Sequence, residues 1–224
     1  MAQQDRAIRT RRVILEAAAS VFDEQGYDRA TIAEVLERAG VTKGALYFHF
    51  ASKEQLALAV LEEQVIDIAV EPQPIKLQEF VDSGQVLAYR LRSDPIQRGA
   101  ARLAVEQGSN HLDRKQSMLS WSVFVEGLLN EAKARGEVME SIVVRETAEL
   151  FVGAFAGLQM MSQAFTNRAD LSRRLTVFFE HTFPSIAVPA ILAKLNLDSE
   201  RGAQLDAAMQ GKTSATAGMD AAAS

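Results

Sequence analysis

The sequence contains no cysteine, one tryptophan, five prolines and three histidines among its 224 residues. Without cysteine the chain has no disulfide, no thiolate metal site and no cysteine nucleophile. No apolar run approaches the ~18 residues that a membrane-spanning helix needs. The polar, arginine-bearing stretch 1–10 lacks the apolar segment of a signal peptide. These absences favour a cytoplasmic protein that has no membrane partner.

Signals of catalysis and of metal binding are also missing. His49, His111 and His181 are far apart, and no aspartate or glutamate stands at metal-ligand spacing from them. The sequence has neither a nucleophile elbow nor a glycine-rich phosphate loop. We therefore expect no enzyme activity, no metal and no cofactor.

The net charge of −5 is unevenly distributed along the chain. Residues 1–54 carry eight basic and eight acidic side chains, whereas residues 55–224 carry 16 and 21. Within the neutral part, Arg6, Arg9 and Arg11 stand close together. Charge interactions are screened within about 8–10 Å, so a local basic face suffices for phosphate binding even on an acidic protein.

Hydrophobic periodicity predicts an all-α protein, because apolar residues recur at helical spacing and no alternating stretch is long enough for a sheet. The expected helices cover about 8–24, 31–39, 42–49, 52–68, 75–91, 95–107, 113–134, 145–165 and 169–182, with one or two more between 185 and 209. Small polar residues predict a disordered tail over 210–224. The expected domains are a three-helix N-terminal domain (1–52) and a larger helical domain (53–209).

Residues 31–50 predict two short helices joined by a tight turn. Thr31 and Glu34 have the spacing of a capping box, Gly40 marks the turn, and Thr42 caps the second helix. In a helix-turn-helix unit the second helix enters the major groove of DNA. An ordinary helical hairpin has the same outline, so this pattern alone leaves simple packing open.

The first turn of the second helix has the chemistry of a groove-binding surface. Gly44 costs about 1 kcal/mol in a helix but bares the backbone for close approach. Lys43 can donate to guanine, and the Thr42 hydroxyl suits a phosphate. The full set of expected DNA contacts is Arg6, Arg11, Thr31, Thr42, Lys43, Gly44, Tyr47, His49 and Lys53. The apolar neighbours Leu46, Phe48 and Phe50 are predicted to anchor the helix in the core.

The stretch TIAEVLERAGVTKGALYFHFASKEQL resembles the signature of TetR-type repressors, and the likeness covers residues 8–58. Further segments resemble the γ-butyrolactone autoregulator receptors of that family, up to about residue 206: DRAIRTRRVILEAAASVFDEQGY, Trp121 with SVFVEGLLNEAK, FVGAFAGLQMMSQ and PSIAVPAILAKLNL. The resemblance implies a TetR-like fold of nine or ten helices, a homodimer, and release from DNA when a butyrolactone-like signal binds. In such a protein, residues 1–52 form the DNA-binding domain and residues 53–209 form the domain for ligand binding and dimerisation.

The spacing of Trp121 by itself favours a core or interface residue. The resemblance implies instead that Trp121 lines the signal pocket, and that Gln64 hydrogen-bonds the ligand and couples the pocket to the DNA-binding domain. An apolar wall with a few placed polar groups suits a small lactone. The expected ligand-binding residues are Gln64, Leu87, Trp121, Phe124, Leu158, Met161 and Ser162.

Gly153 and Gly157 allow another helix to approach closely, which ordinary packing and a dimer interface explain equally well. The resemblance implies that helices 145–165 and 169–182 of two copies form a four-helix interface. Its expected residues are Phe151, Phe155, Leu171, Leu175 and Phe178.

Together these features predict a dimeric repressor that binds a pseudo-palindromic operator in double-stranded DNA and controls secondary metabolism. A second interpretation is a TetR-type regulator or pseudo-receptor whose inducer is an antibiotic, a butenolide, a furan or another small apolar molecule. A helical enzyme or carrier lacks support from any catalytic constellation. A structural adaptor does not explain Lys43 followed by Gly44.

Overall fold

The computed structural model describes residues 2–66, 68, 70–105 and 114–222. These residues form helices α1 (Ala2–Gln25), α2 (Ile32–Ala39), α3 (Lys43–His49), α4 (Lys53–Ile66), α5 (Lys76–Arg90), α6 (Pro95–Val105), α7 (Arg114–Ala134), α8 (Val144–Thr166), α9 (Leu171–Thr182), α10 (Pro189–Leu192) and α11 (Arg201–Ala222). Over this part of the chain, β-structure is limited to one isolated antiparallel pairing between Val138 and Ala187. The all-α prediction is confirmed.

The chain divides into two compact units. The first contains Met1–Asp67 and Ser93–Trp121, and the second contains Ile68–Arg92 and Ser122–Ser224. The first unit is larger than the predicted domain 1–52 because α4 and α6 share its core. Among the described residues, no helix is long and apolar enough to cross a membrane.

The first unit packs α2, α3, α4 and α6 around α1. Its fully buried side chains include Phe22 of α1, Leu46 of α3, Leu56 of α4 and Ile96, Ala100 and Leu103 of α6. Gly99 of α6 lies directly against the Ala19 backbone of α1, where an added Cβ has no room. Arg98 pairs with Asp23 at 2.9 Å across the same contact. The short helices α2 and α3 therefore pack against a well-packed core that α1, α4 and α6 form.

The second unit is built around α5, which packs against α9 and α11. Four aromatic rings share its core, with centroids 4.9 to 6.2 Å apart: Phe80, Phe151, Phe179 and Phe183. Arg201 of α11 donates two hydrogen bonds of 2.6 Å to the buried Asp82 carboxylate of α5. Glu137 accepts the backbone N–H groups of Lys76 and Leu77, which satisfies the start of α5.

Both ends of the chain differ from the expectation. The first helix begins at Ala2, six residues before the predicted start, and Ile8 at the predicted start is 62% exposed. At the other end, α11 continues to Ala222 through the segment predicted to be a disordered tail. The segment is rich in alanine, which loses no side-chain entropy in a helix, so its small residues are compatible with helix.

Candidate nucleic-acid interface and sensing residues

The N-terminus of α2 is closed by a complete capping box. The Thr31 hydroxyl accepts the Glu34 N–H at 3.3 Å and donates to the Glu34 carboxylate at 2.7 Å, which in turn accepts the Thr31 N–H at 2.9 Å. Hydrogen bonds from Gln25 and Thr31 lower the pKa of Glu34. This corrects the expected DNA contact of Thr31, because its hydroxyl proton and a lone pair already serve α2.

The turn between α2 and α3 depends on Gly40, whose φ of 63° lies in the left-handed region. The Gly40 N–H donates to the Leu36 carbonyl at 3.0 Å, which ends α2. The chain then enters α3 through Thr42, whose hydroxyl accepts the Ala45 N–H at 3.2 Å. Thr42 keeps its hydroxyl proton for donation to a phosphate oxygen.

One side of α3 holds the helix in place and the other side faces outward. Leu46 is fully buried and Phe50 nearly so, as predicted. The prediction that Phe48 is a third anchor is wrong, because this side chain is 81% exposed. Phe48 lies two residues from Leu46, about 200° around the helix, so it cannot share the buried side. Helical spacing from Leu46 could have revealed this.

The outward side of α3 combines a cation, bare backbone and two aromatic rings: Lys43, Gly44, Tyr47 and Phe48, all exposed. The Lys43 ammonium lies 5.9 Å from the centre of the Tyr47 ring, a cation–π contact. A Cβ added at Gly44 would meet no atom of the described residues within 4 Å, so packing within the chain does not require glycine there. His49 is half-buried, and its ring meets Phe48 edge-on at 5.0 Å.

The arginines of α1 differ in their engagement. Arg6 is exposed. Arg11 lies 3.7 Å from the Glu63 carboxylate and 5.4 Å from the centre of the Phe50 ring, and Arg12 lies 3.4 Å from the same carboxylate. Glu63 therefore links α4 to α1. Arg11 can contact DNA only from within this cluster.

Lys53, at the start of α4, is also held by its own chain. Its ammonium lies 4.5 Å from the centre of the Tyr27 ring and donates to the Asp28 carbonyl at 3.4 Å. These contacts fix the ammonium near the N-terminal end of α4 and leave it partly exposed.

The structure brings Gln64 and Trp121 together inside the first unit. The Trp121 indole N–H donates to the Gln64 side-chain oxygen at 3.2 Å. Gln97 of α6, which the sequence analysis missed, completes the cluster: each glutamine amide donates to the backbone carbonyl of the other at 3.4 Å. Both glutamines are buried, and the Gln97 side-chain oxygen has no hydrogen-bond partner among the described residues.

The other expected ligand-binding residues, Leu87, Phe124, Leu158, Met161 and Ser162, belong to the second unit. Leu87 is buried on α5, while Phe124 and Leu158 are half-buried. Met161 is exposed on α8. Ser162 is fully buried and donates to the Asp170 carboxylate at 2.5 Å. Ser162 is therefore a structural residue of the α8–α9 turn, which corrects its expected ligand role.

The expected dimer residues also need correction. Phe151, Leu171 and Leu175 are buried in the core of their own chain, so they have no surface to offer a second copy. Phe155 and Phe178 are half-buried. The exposed side of α8 carries a different stripe at helical spacing: Leu150, Gly153, Gly157 and Met160. Neither glycine's added Cβ would meet another described atom within 4 Å.

The α2–α3 unit, with an anchored and an outward side on its second helix, defines the class of protein: a helix-turn-helix transcription regulator. The family model for bacterial regulatory proteins of the TetR family matches residues 14–60. This match covers α2, α3 and large parts of α1 and α4.

The likeness to known proteins extends over most of the chain. It is 42% identical to the A-factor receptor protein of Streptomyces griseus over 87% of this chain and 70% of that protein. The crystal structure of TylP, a TetR regulator from Streptomyces fradiae, is 46% identical with a TM-score of 0.86, covering 89% of this chain and 97% of that one. A γ-butyrolactone receptor structure is 29% identical with a TM-score of 0.62, covering 89% and 98%. The chain belongs to the TetR family, in the branch of the A-factor receptor.

Proposed function

We propose that this protein represses transcription by binding a pseudo-palindromic operator as a homodimer, and that a small γ-butyrolactone-like molecule releases it to allow secondary metabolism. The observation that carries the proposal is the outward side of α3, where Lys43, Gly44 and Tyr47 stand clear of the core. Lys43 donates to a guanine edge, and Thr42, Tyr47 and His49 donate to phosphates.

Dimerisation uses the exposed stripe of α8. Leu150 and Met160 are large apolar side chains in solvent, and Gly153 with Gly157 between them lets a second helix approach closely. An apolar patch of this kind on a soluble protein marks an interaction surface. Two copies related by a two-fold axis then present two α3 helices to successive major grooves, about 34–36 Å apart or a multiple of that distance.

The sensing residues are Gln64, Gln97 and Trp121. A lactone has carbonyl and ring oxygens that accept hydrogen bonds, so it competes with the Gln64 oxygen for the Trp121 N–H. A ligand hydroxyl group can satisfy the buried Gln97 oxygen, which lacks a partner among the described residues. Buried polar atoms of this kind favour a ligand with a matching donor, because an unsatisfied buried acceptor costs about 1–3 kcal/mol.

The helix α4 provides the coupling between signal and DNA. Gln64 contacts Trp121 and α6, and the preceding residue, Glu63, contacts Arg11 and Arg12 of α1. A ligand that displaces Gln64 therefore also changes the position of Glu63 against the helix that supports α2 and α3. The shift in DNA affinity cannot exceed the ligand's difference in affinity for the two conformations.

A different inducer is the second candidate. The TetR regulator TylP is 46% identical to this chain, whereas the γ-butyrolactone receptor structure is 29% identical. The first experiment therefore isolates a DNA site for the purified protein and measures release by a panel of γ-butyrolactones, butenolides, furans and antibiotics. Release by butyrolactones at the lowest concentrations supports the proposal. Release only by another class would show that the inducer belongs to that class.

Two variants test the sensing residues. Trp121→Phe keeps an aromatic ring but removes the N–H that Gln64 accepts, and Trp121→Ala removes both. We expect each to bind DNA within about two-fold of wild type. The ligand concentration for half-release should rise about two- to ten-fold for the first variant and more for the second, because one lost hydrogen bond is worth about 0.5–1.5 kcal/mol. Unchanged release by both variants would contradict the role of Trp121.

A further inference from the structure

The most exposed large apolar side chain among the described residues is Phe48, at 81%. It exceeds the next, Phe165, at 69%. The core beneath α3 is already filled by Leu46 and Phe50, so Phe48 adds nothing to the anchoring of the helix. Its exposure on the DNA-facing helix leaves the Phe48 ring available to a partner outside the chain.

The position of Phe48 on α3 defines what it can reach. Phe48 follows Gly44, in the N-terminal turn of α3, by four residues, so the two lie on the same exposed side of the helix. The same N-terminal turn is the part of a recognition helix that meets base edges. Lys43 and Tyr47, held together by their 5.9 Å cation–π contact, form the neighbouring stripe. The helix therefore offers an apolar stripe beside a basic one.

We propose that Phe48 contacts the C5-methyl group of a thymine in each half-site and so determines specificity for T·A at that position. This inference rests on the proposed function. The thymine methyl is the one apolar group that a base displays in the major groove of unmodified DNA, and phenylalanine is among the side chains suited to it. Gly44 allows the backbone to come close enough for a short, stiff ring to reach the base edge.

The test begins with selection of binding sites from double-stranded DNA that contains a randomised segment. A fragment carrying the enriched site is then resynthesised with deoxyuridine in place of each thymine in turn, which removes only the methyl group. We expect one position per half-site where this change weakens wild-type binding roughly four-fold, and about 15-fold when both half-sites are changed, as burial of one methyl group predicts.

Variants of the protein assign that sensitivity to Phe48. Phe48→Ala should bind the thymine and deoxyuridine fragments equally, and Phe48→Leu should keep part of the difference. Phe165→Ala removes an exposed phenylalanine from α8 and should keep the full wild-type difference. Replacing the T·A pair by 5-methylcytosine paired with guanine should bind better than the unmethylated C·G pair, because the methyl group returns to the same place in the groove.

The outcomes separate the two proposals. If the wild-type protein enriches no DNA site, the repressor function itself fails. If it binds a defined site but no thymine methyl affects binding, or if Phe48→Ala keeps the wild-type sensitivity, the role of Phe48 is overturned while the repressor function stands. The deoxyuridine scan on wild-type protein decides the matter even if Phe48→Ala binds too weakly to measure.

Discussion

The helix pairs α2–α3 and α8–α9 are built alike and face different partners. In each pair, a short turn joins the two helices, and the first helix ends at a residue in the left-handed backbone conformation. This residue is Gly40 at φ 63° in the first pair and Asn167 at φ 51° in the second. The second turn is also braced by the Asp170 carboxylate, which accepts hydrogen bonds from Ser162, Thr166 and Arg174. The local rules for making a helical pair are therefore the same in both.

The exposed surfaces of the two pairs are where they differ. The outward side of α3 is short and basic, with bare backbone at Gly44 and an open ring at Phe48. The exposed stripe of α8 is long and uncharged, with Leu150 and Met160 on either side of two glycines. The outward side of α3 suits the negatively charged groove of DNA, and the exposed stripe of α8 suits the same apolar stripe on a second copy of the chain. The partner is thus set by side chains that the turn does not determine.

The largest effect is expected from a charge in the α8 stripe. Met160→Glu should make the protein monomeric and weaken DNA binding at least 100-fold, because an unpaired charge buried in an interface costs about 3–5 kcal/mol. Light scattering and a gel shift measure the two effects. Val123→Glu places the same charge at an exposed apolar position of α7 and should leave the dimer intact. A dimeric Met160→Glu variant would place the interface elsewhere.

Removal of the cation from α3 should come next. Lys43→Ala should weaken operator binding by about 30-fold or more, since a base contact is worth about 1–3 kcal/mol and is lost in both half-sites. Base choice next to the contact should also relax. Lys194→Ala removes an exposed lysine outside the helix-turn-helix unit and serves as the control. Wild-type affinity of Lys43→Ala in a salt titration would remove the main support for DNA recognition by α3.

Two glycine substitutions in the first pair should act in opposite directions. Gly40→Ala should lower the free energy of unfolding by about 1–2 kcal/mol, because alanine is strained at a left-handed φ. Gly44→Ala should raise it by about 0.5–1 kcal/mol, because alanine favours a helix and meets no described atom there. Urea unfolding measures both. Gly44→Ala should nevertheless bind DNA more weakly, and equal or tighter binding would mean that close backbone approach is not needed.

The smallest effect concerns the brace of the second pair. Hydrogen bonds from Arg174, Ser162 and Thr166 hold the pKa of Asp170 well below its usual range. When folding lowers the pKa of a carboxyl group, the resulting stabilisation is complete at pH values above its pKa in the unfolded chain, about 4. It decreases as the pH falls below that value and is lost once the pH falls below the pKa of the folded protein. Asp170→Asn should therefore be less stable than wild type at pH 7, with the difference closing below pH 4. A difference independent of pH would point to packing instead.

Several features of the site followed from the sequence because they depend on neighbours along the chain. The capping box of Thr31 and Glu34, the turn at Gly40 and the burial of Leu46 all result from spacing within a few residues. Phe48 is exposed rather than buried as predicted, because its hydrophobicity suggested burial but its position on the helix is opposite Leu46. Glu63 and Gln97 were missed because their partners lie 51 and 33 residues away, a distance that no local pattern encodes.

The amino-acid order by itself determined the helices, the helix-turn-helix unit and the family, since these depend on periodicity, caps and a signature of adjacent residues. Tertiary structure alone decided which side chains stay outside. On α8 and α9, burial is settled by how helices distant in sequence pack, so Phe151, Leu171 and Leu175 lie in their own core while Leu150 and Met160 remain exposed to solvent. Recognition of DNA and of a second copy depends on these exposed residues, because only a side chain left unburied by its own chain can contact a macromolecular partner.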